Sequence, residues 1–160
     1  MGAIRLEIPS DRHMVDLAEA VGVRLARIHG MADSEAQDLG LAVWETVTNA
    51  IVHGNRESST LRVSIEFTLA PRNVPRRLVT TVRDQGQGFD LEEVPDPLAP
   101  ENLLRPNGRG LLFMRACADD LSVTRLPTGG TEVRFTKRLS QSSCSSVNTR
   151  RAQPAKETNR

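Results

Sequence analysis

The chain contains no tyrosine, and aromatic residues make up 3% of it. Proteins that hold single-stranded nucleic acid need clustered rings as stacking platforms, so that class of partner is excluded. An excess of one charge is also missing. The 21 basic and 20 acidic residues leave a formal net charge of +1, too little to draw in a phosphate backbone or an anionic membrane. The two cysteines, Cys117 and Cys144, have no CxxC spacing and read as reduced thiols rather than a disulfide framework or a metal site. No apolar run approaches the ~18 residues that cross a bilayer. Met1 to Pro9 is too charged for a secretory leader, and Leu6 stands where a myristoylation signal needs Ser or Thr. The expectation is a cytoplasmic protein with no membrane segment and no direct contact with nucleic acid.

What is present reads as one domain. Ala3 to Ile8 alternates apolar and charged residues, as a strand does. Pro9-Ser10-Asp11 ends it and offers a helix cap. Met14, Leu17, Val21, Leu25 and Ile28 then recur at helical spacing up to a stop at Gly30. Ser34-Glu35-Ala36-Gln37 has the form of a capping box, opening a second helix that runs to Gly54. Leu61 to Leu69 and Leu78 to Arg83 are strands separated by a turn at Pro71 to Pro75. Leu91 to Asn107, rich in proline, is expected to be a lid-like loop. A short buried helix at Leu111 to Cys117 follows, then strands Leu121 to Leu126 and Thr131 to Lys137 around a Pro127–Gly130 hairpin turn. From Ser140 onward almost nothing is apolar, so residues 1–139 form the domain and 140–160 a disordered polar, basic tail. The predicted fold is an α+β two-layer sandwich, with helices on one face of a mixed, mainly antiparallel sheet.

Chemistry concentrates in three places. On the second helix, Glu45 and Asn49 stand one turn apart on one face, while Val43, Val47, Ala50 and Ile51 point to the core. Asparagine is a poor helix former, so its place there asks for a reason. Asp84-x-Gly86-x-Gly88 follows a strand directly; the glycines permit a ligand to approach the backbone, or simply form a turn. Gly108-x-Gly110 opens a helix, where free N–H groups and the dipole favour phosphate oxygens. His53 reads as a capping or packing residue and Trp44 as core.

Glu45-x-x-x-Asn49-Ala50-x-x-His53-Gly54, Asp84-x-Gly86-x-Gly88-Phe89-Asp90, Gly108-x-Gly110-Leu111-x-x-Met114 and Gly130-Thr131-x-Val133 together resemble the boxes of the GHKL (histidine-kinase-like) ATPases. Within that superfamily the short chain resembles the anti-sigma-factor serine kinases. The resemblance covers Ile4 to Lys137. It implies bound ATP and Mg²⁺, with Asn49 holding the metal and Glu45 acting as general base. Asp84 would read the adenine amine with Thr131, and Gly86 and Gly88 would let the backbone pass the nucleotide. Gly108, Arg109, Gly110 and Leu111 would wrap the phosphates. Arg105 and Arg109 are the nearest cations for the γ-phosphate, Arg109 being preferred. The implied partners are a sigma factor and a small anti-sigma antagonist protein, phosphorylated on serine, with the kinase a homodimer. Two other readings remain open at this level: a non-catalytic ATP-gated binder, and an ATPase domain acting on a histidine in trans.

Overall fold

A computed structural model describes residues 2–70, 76–88 and 114–139. Alternation builds the sheet: strands β1 (Ile4–Pro9), β2 (Arg62–Leu69), β3 (Arg77–Arg83), β4 (Asp120–Arg125) and β5 (Thr131–Arg138) lie in the order β1-β2-β3-β5-β4. In β2, Val63, Ile65 and Phe67 are buried, and Arg62, Ser64 and Glu66 turn to the other face. The register carries the apolar set across the strands, Ile65 opposite Val82 opposite Val133, and Phe67 opposite Thr80 opposite Phe135.

Every ladder among the described residues is antiparallel, where a mixed sheet was expected. β3 and β4 do run in the same direction, but β5 lies between them and pairs antiparallel with both. The hairpin therefore separates the two strands that would have made a parallel ladder.

Helix α1 (Val15–Ile28) follows a 3₁₀ turn at Arg12–Met14, capped by the Asp11 carboxylate accepting from His13 N at 2.9 Å. It stops as its glycine predicts. Gly30 takes φ +85°, its N–H reaches Arg27 O at 3.0 Å, and Met31 N–H reaches Ala26 O at 3.0 Å. Helix α2 (Asp33–Asn49) begins two residues earlier than the Ser34 cap implies. Its N-cap is Ala32, which has no side-chain oxygen, and Glu35 Oε2 accepts from Ala32 N at 3.3 Å. A Cβ on Gly40 would lie 2.5 Å from Val23 Cγ2, and one on Gly22 3.0 Å from Val43 Cγ2. The two helices thus cross without room for a methyl group. Leu39, Val43 and Val47 of α2 meet Ile65, Phe67 and Phe135 of the sheet in the core. Each fully buried phenylalanine contributes about 1.5–3 kcal/mol.

The expected helix does continue to Gly54, but Ala50–Gly54 winds as a π turn. Asn55 N–H bonds to Ala50 O, five residues back, at 2.8 Å. Trp44, expected in the core, is 37% exposed. Of the predicted helix at 111–117, residues 114–117 are helical; 111–113 lie outside the described residues. So do the turn at 71–75, the loop at 91–107 and the tail at 140–160.

Candidate functional site

One end of the sheet gathers the end of β1, the π turn, the start of β2, the end of β3 and the β4–β5 turn. Asp84 leaves β3 there and is 5% exposed. Its Oδ1 accepts from Gly86 N at 2.9 Å, and its Oδ2 from Thr131 N at 3.2 Å. Its own N–H donates to Thr131 O at 3.1 Å. Burial raises the carboxyl above the ordinary aspartate value, opposed by the N–H groups of Gly86 and Thr131 and by the Thr131 hydroxyl. Asp84 and Thr131, separate in sequence, are thus joined directly.

The glycines around Asp84 make chain crossings. A Cβ on Gly54 would stand 2.4 Å from Asp84 Cγ, one on Gly86 1.9 Å from Gly54 O, and one on Gly130 2.1 Å from Asp84 O. Gly130 also has φ +88°. In Gly88 (φ +74°) the Cβ would meet Gly130 O at 2.6 Å. Gly86 and Gly88 were expected either to let a ligand approach the backbone or to form a plain turn; among the described residues these glycines make room for one another's backbone. The consequence is that Gly54, at the end of the helix bearing Glu45 and Asn49, presses directly on the Asp84 carboxylate.

Asn49 is the last residue of α2, where the α winding gives way to the π turn. Glu45 lies one turn earlier; both are half-buried. Among the described residues neither side chain enters a hydrogen bond or ion pair. Burial raises the Glu45 carboxyl above the usual glutamate value, which makes it a better proton acceptor when ionised. Next to it, Thr46 Oγ1 donates to Ala42 O at 2.6 Å and lies 2.8 Å from Met114 Sδ. Met114 is 2% exposed, so the far side of the second glycine motif returns to the helix turn that carries Glu45. Arg105, Gly108, Arg109, Gly110 and Leu111 lie outside the described residues. His53 is exposed on the π turn, so it does not pack.

A cavity of about 420 Å³ opens on the other face of the sheet, between Glu7, Arg62, Ser64 and Arg83 and the β4–β5 turn. It reaches Asp84 and Gln85, but neither Glu45 nor Asn49 lines it, so it is not the space the helix turn addresses.

Sequence reasoning missed Asn55, which is 2% exposed. Its Nδ2 donates to Ser10 Oγ at 2.7 Å and to Arg62 O at 2.9 Å, and its Oδ1 accepts from Gln85 N at 2.8 Å. The signal was slight: a polar residue right after the glycine that ends the helix.

Residues 8–137 match the family described as Histidine kinase-like ATPase domain. The chain is 40% identical over 112 residues to the anti-sigma F factor of Bacillus subtilis (strain 168), covering 68% of this chain and 73% of that one. It is 29% identical over 142 residues to the serine-protein kinase RsbW of the same organism, 85% of each. A solved structure of the RsbU and RsbW domains of a Mycobacterium tuberculosis protein superposes with a TM-score of 0.60 at 21% identity. That match covers 87% of this chain and 32% of the other.

Proposed function

We propose, since this chain belongs to the histidine kinase-like ATPase domain family, that it is an ATP-dependent serine kinase that acts as an anti-sigma factor. It holds a sigma factor and phosphorylates a serine of a small antagonist protein; the names of its relatives, anti-sigma F factor and serine-protein kinase, support the two activities. The observation that carries this reading is the contact between Gly54 and Asp84, which docks the helix bearing Glu45 and Asn49 against a buried carboxylate. That contact supports a reading in which an acceptor for the adenine amine and a base for phosphoryl transfer share one frame.

Asp84, oriented by Gly86 and Thr131, accepts a hydrogen bond from the adenine amine. Glu45 takes the proton of the attacking serine hydroxyl as its oxygen bonds to the γ-phosphorus. The bond from that phosphorus to the bridging oxygen breaks, and ADP leaves with the electron pair. Asn49 presents a carboxamide oxygen of the kind a hard cation accepts, and its unengaged, half-buried place at the helix end fits Mg²⁺. Bound there with ATP, the ion would neutralise phosphate charge. Gly108, Arg109, Gly110 and Leu111 wrap the phosphates, with Arg109 or Arg105 on the γ-phosphate. No described helix is long and apolar enough to cross a membrane, and the proposed partners place the protein in the cytoplasm. It works as a homodimer, which sedimentation tests.

Radiolabelled ATP, magnesium and a candidate antagonist provide the decisive assay. Acid-stable phosphoserine should form, and should disappear with Glu45→Ala while ATP affinity persists. Undiminished transfer in that variant removes Glu45 as the base, and an acid-labile product transfers the reading to histidine phosphorylation.

A further inference from the structure

Asn55 takes no part in the reaction set out above, yet it occupies a position where a carboxamide is costly to bury unless its groups are matched. They are matched at the ends of three separate strands, by one hydroxyl and two backbone groups. The two Nδ2 hydrogens go to Ser10 Oγ, beyond β1, and to Arg62 O, at the start of β2. Oδ1 receives the N–H of Gln85, just past β3. Ser10 Oγ in turn donates to Leu61 O at 3.1 Å, so the hydroxyl is an acceptor toward Asn55 and the amide orientation is fixed. Gln85 completes the ring, its Oε1 accepting from Arg62 N at 2.7 Å. Both backbone groups of Arg62 are therefore taken, one by each carboxamide.

The consequence falls on the loop. Two successive N–H groups, those of Gln85 and Gly86, are fixed by Asn55 Oδ1 and Asp84 Oδ1 respectively. Asn55 itself is anchored through its N–H to Ala50 in the π turn. The side chain thus sets where the loop after β3 lies relative to the helix, and so where Asp84 points. We infer that Asn55 is a positioning residue for adenine recognition, acting through the Gln85 amide on Asp84. The inference rests on the proposed role of Asp84 as reader of the adenine amine.

Inosine triphosphate, which carries a carbonyl in place of that amine, isolates the effect. Calorimetric titration of the full chain with ATP and with ITP, each with magnesium, should show wild type preferring ATP by about 10- to 100-fold, the worth of one hydrogen bond to a carboxylate. In Asn55→Ala the preference should shrink to a few-fold. The ratio does not depend on the fraction of folded protein, so a purely structural role leaves it unchanged. A preference that survives Asn55→Ala intact overturns this inference alone. Equal affinities in wild type remove the reading of Asp84 and this inference with it. Should Asn55→Ala fail to fold, amide exchange in wild type decides: Gln85 protected as well as the β2–β3 ladder supports the positioning role, and exchange at the rate of an open loop overturns it.

Discussion

Asp84 and Glu45 bear the same functional group in opposite surroundings. Asp84 is almost fully buried, with each oxygen accepting a backbone N–H and three glycines closed around it. Glu45, on the face of α2, is half-buried and unengaged among the described residues. One end of the site is finished in the protein alone, which suits the adenine recognition proposed for Asp84. The other keeps its side chains available, which suits the general-base role proposed for Glu45.

The sharpest way to test the contrast is at the available end. Glu45→Ala should slow phosphoryl transfer by about 10²- to 10⁴-fold, the usual yield of a general base, while the denaturant midpoint barely moves. In wild type the acid limb of the rate against pH should lie above the ordinary glutamate value, because burial raises Glu45 and transfer needs it ionised. A limb at or below that value contradicts the assignment.

At the finished end the order reverses, with stability lost before chemistry. Gly86→Ala puts a methyl 1.9 Å from Gly54 O, and backbone must shift to relieve it. Urea unfolding should show a loss of about 3 kcal/mol, at the upper end for overpacking. An unchanged midpoint would mean that the crossing is loose.

A smaller effect separates the two carboxylates by pH. Because folding raises Asp84, its contribution favours the folded state fully below the unfolded aspartate value and is lost as pH rises through the folded value. Asp84→Asn should flatten the urea midpoint against pH across that window. Equal slopes in both proteins would show that the backbone N–H groups cancel the cost of burial. The smallest change belongs to Arg5→Ala. It removes the exposed 2.7 Å pair with Glu66 on the sheet's other face and should leave both unfolding and transfer unaltered.

Much of this arrangement was readable in the residues because it is local. Strict alternation located β1, β2 and β5, and Gly30 marked the end of α1 through a backbone geometry that glycine adopts readily. What escaped notice depends on distant partners. Asn55 is defined by Ser10, 45 positions away, and by Gln85, 30 away. The glycines of the Asp84 loop suggested room for a ligand, since nothing in the sequence shows that Gly54 and Gly130 converge on the same carboxylate. The antiparallel sheet was hidden for a similar reason: the place of β5 between β3 and β4 follows from tertiary pairing, and alternation is the same on either side.

The π winding at Ala50–Gly54 amounts to one more residue than an α-helix would spend on the same climb. Were the same five residues to rewind at the ordinary pitch, every side chain downstream would swing by about 100°. Asn55 would turn away from the loop after β3 while Glu45 and Asn49 stayed put. The winding of this five-residue segment is therefore a phase setting between the helix turn that carries Glu45 and Asn49 and the loop that carries Asp84.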